Sequence, residues 1–413
     1  MGGKTLTRVA IATGTVLGAL SAMGGAATAA SPAPQIQHLV VINLENESFN
    51  ASFGRGSVAT YLNSTLVPAG VLVTHYFGTA HLSLPNYIAQ ISGQAPAPDT
   101  QTDCGGTYAA MTPGRDTGTV GQVRVKRGCV YPASVPTIAA QLDAASAPDP
   151  VTHRASWRAY MEDMGVDATR DGGTSCAHPA LGSPNTTNFA SSRDGYAARH
   201  NGFVWFRSVV DASAECKANV VGLGRWTRRG GFTGPLADDL SSEGTTPAFA
   251  TISPSLCNDG HDETCASPSA AGGSVGGLRA ADAWLRRWMP LLLSSPAYQS
   301  GSMAIVVTFD EAEIGGPGSG AACCSEQSGP NVTSAGFGFG PGGGKVGALI
   351  LAGDHVPVGT KDTVGHYNHY SLLRTAEDLL GITTGGSDGL GHLGMAGAPG
   401  VASFGTDVFP PTN

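Results

Sequence analysis

Along the chain, short runs of β-branched and apolar residues alternate with amphipathic stretches and with long connections rich in Gly, Ser and Thr. The runs His38–Leu44, Gly70–Tyr76, Trp157–Tyr160, Ala248–Ile252, Met303–Phe309 and Val346–Leu351 read as strands, and several are apolar at nearly every position. A strand without polar alternation is buried on both faces, as strands are inside a parallel sheet covered by helices. The segments Leu84–Ile91, Val135–Ala144, Gly277–Leu293 and Tyr370–Leu380 carry apolar residues at helical spacing. Strands and helices in alternation predict an α/β fold around a mostly parallel sheet. The stretches 104–130, 165–195 and 312–345 lack either period and read as loop-rich insertions into one domain, not as a second core.

Composition narrows the class. Of 413 residues, 41 % are apolar and 13 % charged: enough apolar material for a large core, and too few charges for a coiled coil or a disordered chain. The formal net charge is −8, which leaves no basic footprint for nucleic acid or for an anionic bilayer. An acidic protein that acts on an anion needs a local positive centre, and a bound metal cation supplies one.

Lys4 and Arg8 precede an apolar run from Val9 to about Met23, and small residues follow to Ala27-Thr28-Ala29. This is the form of an export signal cleaved after Ala29 or Ala30, with residues 30–413 as the secreted catalytic domain. A retained anchor is the competing reading; Gly, Thr and Ser interrupt the run and no basic stop-transfer cluster follows it. No later segment holds about 20 consecutive apolar residues, so stable membrane insertion is not expected. Cysteines at 104, 129, 176, 216, 257, 265, 323 and 324 suit disulfides in an exported chain. Nearest-neighbour pairing gives Cys104–Cys129, Cys176–Cys216 and Cys257–Cys265, with Cys323 and Cys324 bonded to each other or reaching elsewhere; sequence does not choose among roughly a hundred connectivities. Cys257 and Cys265 also admit a reading as metal ligands.

The few charges gather where strands end. The run Leu39–Leu44 continues into Glu45 and Asn46, and Ala304–Phe309 continues into Asp310 and Glu311. In open α/β sheets ligands bind outside the carboxyl ends of strands, and acids there suit hard cations or zinc-type sites. The plainer reading is that charge ends a buried strand because it prefers water. Ser83 opens a short helix with Pro85 in its first turn and Gly93 as its stop, and reads as an N-cap. A serine at a helix N-terminus is either only a cap or a nucleophile beside a ready anion site. Asp259 and His261 share one polar loop, and His366 and His369 precede the last helix.

Seven segments in order, HLVVINLENESFN, HLSLPNYIAQISG, WRAYMEDM, YAARHNGFV, PAFATISPSLCNDGHD, IVVTFDEAE and GHYNHYSLLRTAEDLLGI, resemble the phosphoesterase family of the alkaline phosphatase superfamily. The pattern is most similar to its branch of secreted acid phosphatases and phosphoinositide phosphatases, related to bacterial phospholipases C. The resemblance implies an alkaline-phosphatase-like three-layer sandwich and a hydrolase of phosphate monoesters. It implies Ser83 as the nucleophile that forms a phosphoserine, Asn86 as the holder of the phosphoryl oxygens, and His200 as the acid that protonates the leaving oxygen. Glu45, Asn46, Asp259, His261, Asp310, Glu311 and His369 fall to a divalent metal centre. Glu45 and Glu311 stand where two-zinc relatives carry Asp and His, so metal identity and number stay open. The implied partner is a small phosphorylated substrate or a phospholipid headgroup. The alternatives are a phospholipase C-type phosphodiesterase and a metal-free serine esterase built on Ser83, His369 and Asp310, although no G-x-S-x-G elbow surrounds Ser83.

Overall fold

Seven consecutive residues, His38–Leu44, form the central strand β1, and every one of them is buried. The structure, a computed structural model, describes residues 1–3, 36–112, 121–123, 126–145, 157–229, 231–324, 326 and 342–411. The export signal beyond residue 3 and parts of the first and third insertions fall outside the described residues. The remaining strands are β2 (Val71–Val73), β3 (Tyr76–Phe77), β4 (Trp157–Met161), β5 (Val220–Gly222), β6 (Arg225–Thr227), β7 (Gly231–Thr233), β8 (Phe249–Ser253), β9 (Met303–Phe309), β10 (Ala348–Leu351), β11 (Thr360–Asp362) and β12 (Tyr367–Asn368).

Eight of them make one sheet in the order β11-β2-β10-β9-β1-β8-β4-β5. The pairs β1/β8, β1/β9, β4/β8, β4/β5 and β2/β11 are parallel, and β10 alone in this sheet runs against its neighbours β9 and β2. The fold is therefore α/β with a mostly parallel central sheet, as the apolar runs require. The expected strand Gly70–Tyr76 divides in two, because the Thr74 N–H and hydroxyl both turn to the Asp362 carbonyl and the chain leaves the main sheet there. Strands β5, β6, β7 and β11 gave no signal in the sequence: each is three residues long, and β6 and β7 have exposed ends.

The four expected helices lie at Ser83–Ser92, Ile138–Ala145, Gly277–Leu293 and His369–Leu379. Every residue of Ser83–Ser92 is buried, and the helix packs against His369–Leu379. At about 1.5–3 kcal/mol for each large aliphatic side chain removed from water, the buried side chains of β1, β9 and this helix fix the strand ends as a rigid platform. Disulfides join Cys104–Cys129, Cys176–Cys216, Cys257–Cys265 and Cys323–Cys324. The reading of Cys257 and Cys265 as metal ligands is thereby corrected, since their thiols are spent on each other.

Candidate active site

Register brings three strand ends to one place. Leu44 of β1 lies opposite Phe309 of β9, and the ladder continues beyond them as the Asp310 N–H donates to the Leu44 carbonyl over 2.9 Å. On the other side the Glu45 N–H donates to the Asp259 carbonyl over 2.9 Å, tying in the loop that follows β8. That loop can approach because residue 260 is Gly: its φ is 116°, and a Cβ there would sit 2.7 Å from the Glu45 carbonyl oxygen. Glu162, at the end of β4, accepts from the Ser255 N–H and the Asn258 amide and so braces the same loop. Asn46 turns with φ 57° and donates its N–H to Asp310 Oδ1 over 3.1 Å. Asn tolerates this left-handed conformation better than most residues.

The helix carrying Ser83 enters through Leu82 at φ 67°. Ser83 is its first helical residue and does not cap it; Asp103 does, accepting the Leu84 N–H on Oδ1 over 2.9 Å. With capping done from another loop, Ser83 Oγ is free to donate to Glu45 Oε2 at 2.8 Å. The Tyr87 hydroxyl, one turn on, donates to Glu45 Oε1. The Tyr87 ring stacks on His200, with centroids 5.3 Å apart and planes 6° from parallel. His200 lies between two acids, its Nε2 3.3 Å from Glu45 Oε1 and its Nδ1 3.3 Å from Asp259 Oδ2, with no hydrogen bond formed at either nitrogen among the described residues.

Burial dominates the electrostatics. It pushes the Glu45 carboxyl well above its usual range, helped by the charges of Asp310 and Asp259. Burial likewise lifts Asp259 and Asp310 to about 7, and it drives the His200 imidazole well below its ordinary value. Acids crowded together without water disfavour ionisation, whereas a cation among them would favour it. The donor set fits such a cation. Glu45, His200 and Asp259, all buried, each offer a ligand atom within 4.8 Å of the others. Asn46 Oδ1, Asp259 Oδ2, Asp310 Oδ2 and both His200 nitrogens are buried without hydrogen-bond partners among the described residues. One imidazole with several carboxylate oxygens suits zinc or a harder divalent ion.

Several expected roles change. Asn86 does not face the site: its Oδ1 accepts from the Thr79 N–H, the Thr79 hydroxyl and the Ala80 N–H, and its Nδ2 donates to the Ala80 and Leu82 carbonyls. It moulds the turn that delivers Ser83. His200 is fully buried, its imidazole driven well below the ordinary value, a setting that suits a lone-pair donor to a cation better than a proton donor. Glu311 points away from Asp310 and pairs with His81. Burial raises the Glu311 carboxyl and lowers the His81 ring, and His81 Nε2 donates to the Ser319 carbonyl over 2.8 Å. His81 Nδ1 faces the Glu311 carboxyl in the same contact. His369 uses Nε2 to donate to the Asp310 carbonyl at 2.6 Å and accepts the Tyr76 hydroxyl on Nδ1 at 2.9 Å. Burial lowers it to about 4, so it is a neutral prop of Asp310, with neither nitrogen spare for a metal or for Ser83. His261 stands half-buried beside the cluster, its backbone N–H on Asp259 Oδ1 at 2.8 Å and its ring 2.7 Å from Asp262. Although burial opposes it, the Asp262 contact and the Asp259 charge raise the His261 ring. His366 stacks on His75, outside this group.

The model of the Phosphoesterase family matches residues 56–383. An acid phosphatase of Aspergillus fumigatus is 24 % identical over 300 residues, which are 71 % of this chain and 50 % of that protein. A phosphate-repressible acid phosphatase of Penicillium chrysogenum is 26 % identical over 319 residues, 77 % of this chain and 54 % of the relative. The chain thus spans about half the length of the curated relatives it matches. Among solved structures it is similar to a protein of the alkaline phosphatase superfamily from Vibrio parahaemolyticus, with 14 % identity, a TM-score of 0.43 and coverage of 84 % of this chain and 67 % of the other. It is also similar to the PsFucS1 sulfatase from a Pseudoalteromonas species, with 13 % identity, a TM-score of 0.44 and coverage of 91 % and 76 %.

Proposed function

This chain belongs to the Phosphoesterase family, and from that premise we propose that it is an exported phosphatase that hydrolyses phosphate monoesters through a phosphoserine formed on Ser83. The observation that carries this reading is the hydrogen bond from Ser83 to Glu45 at the point where three strand ends converge. The similarity to acid phosphatases supports phosphate-ester hydrolysis, and four disulfides support export. No helix among the described residues is long and apolar enough to cross a membrane.

In the reaction proposed, the Ser83 hydroxyl proton passes along the existing hydrogen bond to Glu45 Oε2 while Oγ attacks phosphorus in line. His261, half-exposed and raised in basicity, protonates the leaving oxygen in place of the buried His200. Neutral His261 then takes a proton from the water that attacks the phosphoserine, and Glu45 returns its proton to Ser83. A divalent cation held by Glu45, His200 and Asp259, with Asp310 and Asn46 beside them, would supply positive charge against the phosphoryl oxygens. Glu311 and His369 support Asp310 and its loop from behind. The metal-free serine esterase finds no support, because His369 has no nitrogen to spare for Ser83.

The substrate proposed is a small phosphomonoester or the monophosphate of a phospholipid headgroup. The test compares hydrolysis of p-nitrophenyl phosphate, a phosphoinositide phosphate and a phosphocholine diester, with acid trapping of the phosphoenzyme. Monoester preference with label on Ser83 is the expected result. Faster cleavage of the diester, or undiminished turnover by Ser83→Ala, would overturn the reading.

A further inference from the structure

Arg199 is 5 % exposed, in an acidic chain whose site gathers carboxylates. Its guanidinium has five N–H donors, yet the hydrogen bond it forms among the described residues is the one from Nη1 to the Asn188 carbonyl, 2.8 Å. Its nearest acid, Asp103, stands 3.6 Å away, Oδ2 from Nε, outside hydrogen-bonding range. Its other N–H groups are not among the enclosed side-chain atoms left without a partner, and a guanidinium in so buried a setting pairs strongly with an anion that reaches it.

Its position says what that would be. Arg199 precedes His200, which lies 3.3 Å from Glu45 and from Asp259. Its partner Asp103 caps the helix that begins at Ser83. The guanidinium therefore borders the helix N-terminus and the nucleophile together, and its field reaches Glu45, Asp103, Asp259, His200 and His261. Asp103 is held where it is by an unusual turn: Asp103 and Cys104 both have positive φ, 54° and 52°, and Cys104 is bonded to Cys129. The acid is thus fixed close enough to keep the cation in place and too far to satisfy it.

We propose that Arg199 is the phosphoryl-binding residue of the site, its guanidinium fork taking non-bridging oxygens of the substrate or of product phosphate while Asp103 holds the side chain ready. This rests on the phosphomonoesterase reading above. A planar fork matches two phosphate oxygens at once, which a lysine ammonium does not. Asp103 then competes with the substrate for Arg199, a feature that a purely structural ion pair would not have.

The experiment measures inorganic phosphate twice, as a competitive inhibitor of p-nitrophenyl phosphate hydrolysis and by direct calorimetry, in wild type, Arg199→Met, Arg199→Lys and Asp103→Asn. Phosphate binding should weaken about ten- to a hundredfold in Arg199→Met, the loss of charge-assisted hydrogen bonds. It should weaken less in Arg199→Lys, and tighten about threefold in Asp103→Asn as a like charge is removed. Unchanged phosphate binding in Arg199→Met, or weakening in Asp103→Asn that parallels it, overturns the proposal and leaves the phosphatase reading standing. If Arg199→Met fails to fold by circular dichroism, Arg199→Lys and Asp103→Asn decide by the same signs. If wild type hydrolyses no phosphomonoester, that reading fails instead, and calorimetry judges Arg199 alone: phosphate bound by wild type and lost in Arg199→Met sustains it, and no binding by wild type ends it.

Discussion

Ser83 Oγ donates a 2.8 Å hydrogen bond to Glu45 Oε2 across 38 residues of sequence. The contact exists because Asp103 has taken over the capping of the helix, so among the described residues the serine hydroxyl donates to the carboxyl group at the end of β1. Ser83→Ala should lower kcat on p-nitrophenyl phosphate by about a thousandfold or more, the usual scale for loss of a covalent nucleophile. Ser83→Thr keeps the hydroxyl and should keep measurable turnover with a phosphothreonine in its place. Turnover by Ser83→Ala close to that of wild type, with intact folding by circular dichroism, would separate the hydroxyl from the chemistry.

Tyr87 does two things with one side chain: it donates to Glu45 Oε1 and stacks on His200. Tyr87→Phe removes the first and keeps the second. Deleting a hydrogen bond to a charged group costs about 1.5–3 kcal/mol, so kcat should fall about tenfold or somewhat more while KM moves little. Tyr87→Leu should also release the imidazole and cost more. Equal effects from the two variants would mean that the hydroxyl alone matters, and full activity in Tyr87→Phe would mean that the stack does.

Much of the platform was legible in the sequence because it depends on local patterns. The runs that became β1 and β9 have no polar interruption, and residues that follow such runs must emerge at strand ends. What pattern could not give is which way each one points. Successive residues at a strand end face opposite sides, so Asp310 turns to the Asn46 N–H while Glu311 turns to His81. Ser83 read as its own cap because the real cap, Asp103, comes from a loop positioned by a disulfide. His81 and Tyr87 stood inside a recognisable motif without a role, since a role requires Glu311 and Glu45 to come from distant strands. Asn86 was placed on the right helix and His369 just before the helix it in fact opens, but their polar atoms are consumed largely by backbone groups and Tyr76, which no spacing rule reveals.

The cluster Glu45, His200 and Asp259 makes metal content a direct readout. Protein prepared with divalent cations should retain bound metal by mass spectrometry and lose activity on exhaustive chelation, with recovery on adding the ion back. Asp259→Asn removes one ligand charge and should reduce metal occupancy at limiting cation about ten- to a hundredfold. Glu311→Gln, behind the cluster and paired with His81, should leave occupancy much closer to wild type. Full activity after metal removal, verified by mass spectrometry, counts against the cation.

Away from the site, Glu377 sets a stability gradient with pH. It is fully buried; one oxygen accepts the Leu393 N–H at 2.9 Å and the other has no partner among the described residues. Burial, reinforced by the charges of Asp378 and Asp388 and opposed by the Leu393 hydrogen bond, raises its carboxyl to about 9. The sign follows from proton counting. Between the ordinary carboxylate value and about 9, the folded state keeps a proton that the unfolded chain gives up. The native state therefore binds more protons, and stability falls as pH rises through that window. Below it the penalty vanishes, and above about 9 it is complete. Glu326, raised to about 8 mainly by burial, acts in the same direction. Glu377→Gln mimics the protonated acid, so it should leave stability at about pH 5 nearly unchanged and raise it by on the order of a few kcal/mol at about pH 9. Urea unfolding at the two pH values measures this as a shallower pH dependence in the variant. Parallel profiles for wild type and Glu377→Gln would show that Glu377 ionises in the folded protein much as it does in water.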